Sequence, residues 1–307
     1  MTQWVSSHFL GENPWLCLPE DEIHLWFAFA GDFEDPHLPV AACKVLDPGE
    51  IARVERLRHA KDRHLFLLSH LLARTALSRY RPRSPEEWRF VRNSHGKPSL
   101  DPETEPVPLQ FSLSHTTGLS VFAVTRTADI GVDVEMVNRP VEALKLSRRF
   151  FSPDEAAHLR KMAPEGLSHF FYYWTLKESF LKALGRGLSL PLDSFAFHLS
   201  EERPCRITLS GKDLQHPEGC RFALIQPTKG YVAALSVALR QPKPMKVACF
   251  RALPFEEAAS LDWTPAGLSE GVECISRDHG GRSYCRFFPD GGVGGCKSRV
   301  KKAYEQE

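Results

Sequence analysis

The order of strand-like and helix-like segments is the feature of this sequence that most constrains its fold. Within residues 1–240 the two kinds of segment alternate irregularly, and no glycine-rich phosphate loop joins a strand to a following helix. A doubly wound parallel sheet is built from regular strand–helix alternation and commonly carries such a loop. The sequence therefore predicts an α+β fold rather than a doubly wound α/β fold.

Three segments have helical signals. Residues 51–80 carry apolar side chains at helical spacing and are followed by two prolines. Residues 152–155 form a capping box with proline at the first helical position, which predicts a helix from residue 153. A longer helix is predicted over residues 168–184, because two glycines follow it closely. The predicted strands cover residues 23–30, 109–125 (a hairpin turning at 117–118), 129–137, 195–199, 206–209 and 231–239.

Charge balance and apolar content exclude several classes of protein. Lys and Arg number 39 against 38 Asp and Glu, and this balance argues against a dedicated nucleic-acid binder or a membrane-surface protein. No apolar run approaches the roughly 18 residues of a membrane helix, and the first residues do not resemble a signal peptide. The eight cysteines form no CxxC pair, which is typical of reduced thiols. We therefore expect a cytoplasmic protein that binds neither nucleic acid nor membrane.

The composition changes near residue 241. Residues 241–307 hold 8 of the 20 glycines and half of the cysteines, and they lack a sustained apolar period. This pattern predicts an accessory or poorly ordered extension rather than a second catalytic unit.

Two acidic side chains are predicted to lie side by side on the strand at residues 129–137. Because side chains alternate along a strand, Asp133 and Glu135 share one face, roughly 7 Å apart. Neighbouring like charges favour a cation between them, and Mg²⁺ binds one or two carboxylates together with substrate phosphates. Taken alone, however, the pattern is more typical of an amphipathic strand with a solvated acidic face.

The helix predicted at residues 168–184 carries a charged pair. Glu178 and Lys182 lie four residues apart and share a face with Trp174. Such a pair commonly forms only a surface salt bridge. Near a metal ion, the Glu178 carboxylate could instead act as a base and the Lys182 ammonium could bind phosphate.

Possible phosphate-binding donors precede these motifs. Lys97 lies in a Gly-Lys-Pro turn, and Ser114 and His115 stand near the end of a predicted strand. Their ammonium, hydroxyl and imidazole groups suit phosphate oxygens. A Ser–His nucleophile pair is rejected, because neighbours on a strand point to opposite faces.

Residues 51–83 contain nine Lys or Arg and only two acidic residues. These basic residues form either the solvated face of a helix or, for a subset of them, a binding surface for a phosphorylated ligand.

Six motifs follow one another in a specific order and spacing. They are Gly96-Lys97-Pro98, Phe111 to His115, Gly131 to Glu135, Arg149 to Glu155, Trp174 to Lys182, and Gly185-Arg186-Gly187. In combination they resemble the motifs of the 4′-phosphopantetheinyl transferase superfamily, specifically its surfactin-synthetase-activating (Sfp-like) type. The resemblance covers residues 20–240.

The resemblance implies both a fold and a reaction. The implied fold is a pseudo-twofold monomer of two similar α+β halves, 1–127 and 128–240, with the active site in the cleft between them. The implied enzyme is of the holo-[acyl-carrier-protein] synthase type and depends on Mg²⁺. It moves phosphopantetheine from coenzyme A, its co-substrate, to a serine of an apo acyl or peptidyl carrier protein, and it releases adenosine 3′,5′-bisphosphate.

The resemblance also implies roles for single residues. The matches to Mg²⁺ ligands are Asp133, Glu135 and Glu178. The matches to contacts with coenzyme A are Lys97, Ser114 and His115 at the phosphates, Lys182 at the pyrophosphate and Arg53 near the 3′-phosphate. Glu178 is expected to act as the base, while Lys182 and His115 stabilise the leaving group. One departure is Glu50, which stands where the family often has a basic residue.

The resemblance further implies an acidic carrier protein that docks on residues 148–161. Phe150 and Phe151 are expected to be exposed or half-exposed there, or else to form a buried apolar junction.

Two other functions are considered as alternatives to phosphopantetheine transfer. One is a catalytically silent protein of the same fold that binds coenzyme A or a carrier protein, and the other is a Mg²⁺-dependent phosphohydrolase that needs no acceptor.

Overall fold

Two mixed β-sheets pack face to face, and helices cover their outer sides. The computed structural model describes residues 15–33, 38–105, 109–211, 214, 217–252, 259–261, 263–277 and 283–285. Within these ranges the α+β fold predicted from the sequence is confirmed. No helix in the described ranges is both long enough and apolar enough to cross a membrane.

The helices and strands of these ranges are as follows. The helices are α1 (Leu38–Val45), α2 (Pro48–Glu55), α3 (Ala60–Leu77), α4 (Ala143–Phe150), α5 (Pro153–Met162) and α6 (His169–Leu184). The strands are β1 (Glu22–Phe29), β2 (Phe90–Arg92), β3 (Pro98–Leu100), β4 (Gln110–Thr116), β5 (Leu119–Thr125), β6 (Asp129–Met136), β7 (Phe195–Leu199), β8 (Cys205–Gly211), β9 (Cys220–Gln226), β10 (Tyr231–Ala238), β11 (Met245–Arg251), β12 (Ala259–Ser260), β13 (Thr264–Leu268), β14 (Val272–Arg277) and β15 (Ser283–Cys285).

Most of the predicted elements are confirmed. The capping box starts α5 at Pro153, with Ser152 and Glu155 bonded to each other's backbone amides. The hairpin β4–β5 turns at Gly118, whose φ of 81° favours glycine. The single helix predicted over residues 51–80 is wrong in detail, because the chain forms α2 and α3 with a break between them. The sequence did not predict α1, the β2–β3 ribbon or β9.

The two sheets have different strand orders. The first has the order β15-β14-β11-β1-β5-β4, with β12 paired to β11, and the second has the order β6-β10-β9-β13-β8-β7. Strand β1 runs antiparallel to β5 and parallel to β11, while β6 runs antiparallel to β10. Strands β4 and β6 are therefore the edge strands at which the two sheets can approach each other.

Residues 241–307 are not an accessory extension where the structure describes them. Strand β11 lies between β1 and β14 in the first sheet, and β13 lies between β9 and β8 in the second. Met245 and Val247 are fully buried in the core. The prediction was wrong because β11 is buried on both faces, so its apolar residues form a short run without a period of two. The remainder of that range lies outside the described residues.

Alternate residues of the strands serve two different cores. Leu25 and Phe27 of β1 pack in the core shared by the two sheets, whereas Trp26 packs against α3 on the outer side. Val132 and Val134 of β6 enter the same shared core. Full burial of each large apolar side chain stabilises the fold by about 1.5–3 kcal/mol.

Helix α6 packs directly on strand β6 at Gly131. A Cβ atom at this position would lie 1.9 Å from the Ser179 carbonyl oxygen and 2.4 Å from the Ala183 amide nitrogen. Both are backbone atoms of α6, so they cannot yield unless the whole helix moves. The lack of a side chain at Gly131 therefore allows the closest approach of the helix to the strand.

A buried ion pair joins the N-terminal helices. Glu50 belongs to the capping box of α2, and its carboxylate also contacts Arg74 Nη2 at 2.7 Å and His70 Nδ1 at 2.6 Å. Burial alone would raise the pKa of Glu50, but the hydrogen bonds from His70 and the Asp47 amide, together with the charge of Arg74, lower it to about 2. Glu50 thus has a structural role in holding α2 against α3.

We predict that Gly131→Ala lowers the free energy of unfolding by about 3 kcal/mol, the upper end of the usual cost of overpacking. The added methyl group must displace the backbone of α6. Thermal and urea unfolding measure the change. The matched control is Gly31→Ala, because a Cβ atom at Gly31 has no other atom within 4 Å. Equal loss of stability in the two variants would contradict the packing argument.

We also predict that the stabilisation by Glu50 depends on pH. Because the folded pKa is lowered from 4.5 to about 2, the stabilisation is complete above pH 4.5 and is lost as the pH falls towards 2. The shift sets an upper limit of about 3 kcal/mol on this contribution. The difference in unfolding free energy between wild type and Glu50→Gln should therefore shrink over that interval. Glu55→Gln, an exposed change on the same helix, should show no such trend.

Candidate functional site

Charged side chains of β6 and α6 meet beside Gly131. Lys182 Nζ donates hydrogen bonds to Asp133 Oδ1 at 2.8 Å, to Ser114 Oγ at 2.9 Å and to the Val132 carbonyl oxygen at 3.1 Å. Ser114 Oγ in turn donates to Asp133 Oδ1 at 2.8 Å. Among the ion pairs of the described residues Lys182 has Asp133 as its partner, not Glu178. The surface salt bridge considered from the sequence is therefore replaced by a bond between helix and strand.

The second carboxylate of β6 has two different partners. Arg139 Nη2 donates to Glu135 Oε1 at 2.8 Å, and Thr116 Oγ1 donates to Glu135 Oε2 at 3.2 Å. Burial raises the pKa of Glu135, and the nearby charge of Asp133 raises it further. Arg139 and Thr116 act in the opposite direction but do not cancel the increase. Glu135 is thus a half-buried carboxylate that binds a proton more readily than an exposed one.

The carboxylate of Glu178 differs from the other two in having no such partner. It is half-buried on α6, and no hydrogen bond or ion pair to it occurs among the described residues. Burial raises its pKa, and so do Asp133 and Glu135, while Lys182 lowers it. Since the nearby carboxylates influence its proton affinity, Glu178 belongs to the same acidic cluster. Its oxygens remain available to accept a proton or to bind a cation.

Hydroxyl groups of β4 connect the edges of the two sheets. Ser112 Oγ accepts a hydrogen bond from the Val132 amide at 3.0 Å. Ser114 and Thr116 donate to Asp133 and Glu135, as described above. These three hydroxyls occupy alternate positions, so they lie on the same face of β4. The acidic strand of the second sheet is therefore held by side chains of the first.

His115 lies on the opposite face of β4 from Ser114, as strand alternation requires. Its side chain is exposed, but the surrounding side chains partly remove it from water. This desolvation lowers the pKa of His115, and the neighbouring Lys182 and His70 lower it further. The imidazole is thus influenced both by the acidic cluster and by helix α3.

Lys97 contacts the end of helix α6. Its Nζ donates to the Ala183 carbonyl oxygen at 2.9 Å and lies 3.9 Å from Asp129 Oδ1. Asn93 Nδ2 donates to the Gly185 carbonyl oxygen at 3.0 Å in the same region. Desolvation lowers the pKa of Lys97, although Asp129 opposes the effect. The Gly-Lys-Pro turn therefore holds the C-terminus of the helix that carries Glu178 and Lys182.

Arg53 lies at the surface of α2. Its guanidinium is 6.0 Å from the ring centroid of Phe66, and that ring stacks on His70 at 4.0 Å. Glu50, one turn earlier, is committed to the ion pair with Arg74. A negatively charged ligand would therefore meet the exposed Arg53 and not the Glu50 carboxylate, which already has positive partners.

The aromatic part of the α4–α6 region is largely internal. Phe151 is buried and stacks on Phe170, so the expectation that it is exposed or half-exposed is wrong. Phe150 is half-buried against Trp174. Lys177, which belongs to the Trp174 motif, forms a buried ion pair with Glu155 at 2.9 Å. These contacts pack α4, α5 and the segment between them against α6.

The donor chemistry of the cluster fits a hard divalent cation. Asp133, Glu135 and Glu178 supply carboxylate oxygens, which Mg²⁺ prefers. Burial raises the pKa values of Glu135 and Glu178, and neighbouring negative charge raises them further, so added positive charge is favourable there. The three carboxylates do not form a closed ligand set, since no group of three or more His, Cys, Asp or Glu among the described residues is close enough to hold a metal ion.

Sequence reasoning missed Thr116 and Arg139. Thr116 carries the third hydroxyl at alternate positions of β4, a pattern visible in the sequence once Ser112 and Ser114 are noticed. Arg139 follows the end of β6, where strand alternation no longer indicates which way a side chain points. Its contact with Glu135 is therefore a result of the turn after the strand.

Two family models match the chain. One is described as the 4′-phosphopantetheinyl transferase superfamily and covers residues 129–236. The other is described as the N-terminal part of 4′-phosphopantetheinyl transferase and covers residues 36–127. A solved structure of holo-[acyl-carrier-protein] synthase from Thermotoga maritima aligns with 38% of this chain and 66% of its own, at 21% identity and a TM-score of 0.31.

Curated relatives match over longer stretches. The 4′-phosphopantetheinyl transferase HetI from Nostoc sp. is 32% identical over 231 residues, which are 75% of this chain and 93% of the relative. The 4′-phosphopantetheinyl transferase Sfp from Bacillus subtilis is 32% identical over 194 residues, 63% of this chain and 82% of the relative. With this similarity over nearly the whole of one relative, the chain belongs to the 4′-phosphopantetheinyl transferase superfamily and to its Sfp-like type.

Proposed function

We propose that this chain transfers the phosphopantetheine arm of coenzyme A to a serine of an apo acyl or peptidyl carrier protein. The transfer depends on Mg²⁺ and releases adenosine 3′,5′-bisphosphate. Membership of the superfamily supports the reaction class. The observation that carries the proposal for the site is the Glu178 carboxylate, which lies in a cluster with Asp133, Glu135 and Lys182 and has no bonded partner among the described residues.

Glu178 fits the role of the base. A carboxylate with a raised pKa accepts a proton more readily than an exposed one, and its oxygens are not occupied by a protein donor. In the proposed step Glu178 takes the proton of the carrier serine hydroxyl. The serine oxygen forms a bond to the β-phosphorus of coenzyme A, and the bond from that phosphorus to the bridging oxygen breaks. The electron pair leaves with adenosine 3′,5′-bisphosphate.

The leaving group requires positive charge and hydrogen-bond donors. Lys182 supplies an ammonium group at the centre of the cluster, where it already contacts Asp133 and Ser114. His115, the pKa of which is lowered by desolvation, offers an imidazole N–H that can donate a hydrogen bond. Fixed donors of this kind stabilise charge that develops during the reaction.

Asp133, Glu135 and Glu178 would hold the Mg²⁺ ion. When bound, Mg²⁺ neutralises charge on the pyrophosphate oxygens, which favours attack by the serine oxygen. The Lys182–Asp133 contact shows that the buried carboxylate of β6 already has a cation as its partner. The three carboxylates therefore supply negative charge that would stabilise a metal ion bound to phosphate.

The remaining contacts with coenzyme A follow from the positions of the basic residues. Arg53 at the surface of α2 supports binding of the 3′-phosphate. His115 lies under the influence of both Lys182 and His70, so it fits between the pyrophosphate and the α2–α3 region. For Ser114 and Lys97 the contacts seen here, with Asp133 and with the end of α6, support an indirect role in addition to the phosphate contacts.

The sheet arrangement supports the two proposed halves, 1–127 and 128–240. Strands from β1 to β5 lie in the first sheet and strands from β6 to β10 in the second, apart from the β2–β3 ribbon. The active site lies between the halves, where β4 meets β6.

We further propose a monomer in the cytoplasm, and the thiols of Cys17, Cys43 and Cys205, which form no disulfide, support a reducing compartment.

The proposal is tested by incubating the chain with coenzyme A, Mg²⁺ and apo carrier proteins from fatty-acid, polyketide, peptide and lysine pathways. Mass spectrometry of the carrier should show the phosphopantetheine increment. Coenzyme A binding without any increment on the panel would support the catalytically silent alternative. Free phosphopantetheine in the absence of a carrier would support a phosphohydrolase instead.

We predict that Glu178→Gln lowers the rate of transfer by about 10²–10⁴-fold, the usual contribution of a general base. The amide cannot accept the serine proton, yet it has nearly the same shape, so the unfolding temperature should stay close to that of the wild type. The control is Glu270→Gln, an exposed change in the turn before β14. Near-wild-type transfer by Glu178→Gln would show that another group acts as the base.

A further inference from the structure

Glu135 is held at both oxygens by residues to which the resemblance assigns no role. Arg139 Nη2 contacts Oε1 at 2.8 Å, and Thr116 Oγ1 contacts Oε2 at 3.2 Å. The two partners belong to different parts of the fold. Arg139 follows β6 on the same sheet, whereas Thr116 is the last residue of β4 on the other sheet. Thr116 is therefore the group that ties this carboxylate to the opposite half of the molecule.

The two partners place different constraints on Glu135. The Arg139 side chain is 40% exposed, and its guanidinium lies over the Phe171 ring at 5.3 Å from the centroid. This ion pair is partly exposed on the Arg139 side, while the Glu135 side chain is only 15% exposed. Thr116 has a β-branched side chain on a strand, so its hydroxyl has few accessible rotamers. Arg139 thus supplies charge at one oxygen of Glu135, while Thr116 fixes the direction of the other from the opposite sheet.

Asp133 offers a parallel within the same strand. Ser114 donates to Asp133 Oδ1, and Ser114 lies two residues before Thr116 on the same face of β4. Each carboxylate of β6 therefore receives one hydroxyl from β4. This one-to-one pairing aligns both acidic side chains along the seam between the two sheets.

A flexible carboxylate is a poor metal ligand. Ordering a Glu side chain costs rotamer entropy, so a ligand that is held in place beforehand binds more tightly. Groups that orient metal ligands typically contribute about 10–100-fold to metal affinity. A hydroxyl donor also has no charge, so it orients Glu135 without competing with a cation as Arg139 does.

We propose that Thr116 is a positioning residue that orients Glu135 for the divalent metal ion of the transfer reaction. The inference rests on the proposed function for the identity of that reaction. It assigns to Thr116 no contact with coenzyme A or with the carrier protein. Its effect should therefore appear in metal affinity and not in the rate at saturating metal.

The test compares Thr116→Val, Thr116→Ser and the wild-type chain. Mn²⁺ is titrated into each full-length protein without coenzyme A, and free Mn²⁺ is measured by electron paramagnetic resonance. Thr116→Val should weaken Mn²⁺ binding about 10-fold, while Thr116→Ser should stay within about twofold of the wild type. Thr208→Val, an exposed substitution on β8, is the matched control and should have no effect.

Transfer kinetics give the second measurement. The Mg²⁺ concentration for half-maximal transfer by Thr116→Val should rise about 10-fold, with kcat at saturating Mg²⁺ within about twofold of the wild type. Thr116→Ala replaces Thr116→Val if circular dichroism shows that the valine variant is unfolded. Unchanged Mn²⁺ and Mg²⁺ dependence in the folded variant, or an equal loss in Thr116→Ser, would overturn the proposal.

The two measurements separate this inference from the proposed function. The Mn²⁺ titration needs neither coenzyme A nor a carrier protein. A wild-type chain that binds Mn²⁺ in a hydroxyl-dependent way, yet never modifies a carrier, would refute the transferase and leave the role of Thr116 intact. If the wild type and Thr116→Val both transfer phosphopantetheine with the same Mg²⁺ dependence, the transferase function is supported and the role of Thr116 is refuted.

Discussion

Close packing of a helix on a strand is the constraint on which the candidate site depends. Gly131 lets the backbone of α6 touch the backbone of β6, where any Cβ atom would lie 1.9 Å from a carbonyl oxygen. Two and four residues further along the strand, Asp133 and Glu135 face the same helix. At this separation Lys182 Nζ lies 2.8 Å from Asp133 Oδ1. The identity of one small residue thus determines whether the charged groups of two elements can interact.

The same closeness creates an electrostatic cost that the fold offsets with donors. Burial raises the pKa values of Glu135 and Glu178, and the neighbouring carboxylates raise them further. Lys182, Arg139 and the hydroxyls of β4 supply the compensating interactions for Asp133 and Glu135, but the carboxylate of Glu178 lacks a bonded partner among the described residues. Unfavourable arrangements of this kind are tolerated in proteins mainly where they serve function. The group with the least compensation is therefore the one most suited to take part in chemistry.

Local patterns in the sequence predicted local structure well and long-range pairing poorly. The alternation of β6 placed Asp133 and Glu135 on one face, and the capping box placed the start of α5 at Pro153. The partner of Lys182 was not predictable, because the nearest carboxylate in sequence is Glu178 but the nearest in space is Asp133. Strand β11 was missed for a similar reason. Its two faces pack in different cores, Met245 and Val247 between the sheets and Phe250 on the side of α3, so its burial comes from elements distant in the sequence.

The basic segment at residues 51–83 shows why a charge count is a poor guide to a binding surface. Its nine positive charges are not equally available, because Arg74 is buried with Glu50, and Arg81 and Arg83 contact Glu105. The exposed ones, among them Arg53, cluster where α2 meets α3. Structure thus concentrates the available positive charge at one helix junction. Desolvation lowers the pKa of His115, and both Lys182 and His70 lower it further, so this side chain responds to that junction and to the acidic cluster together.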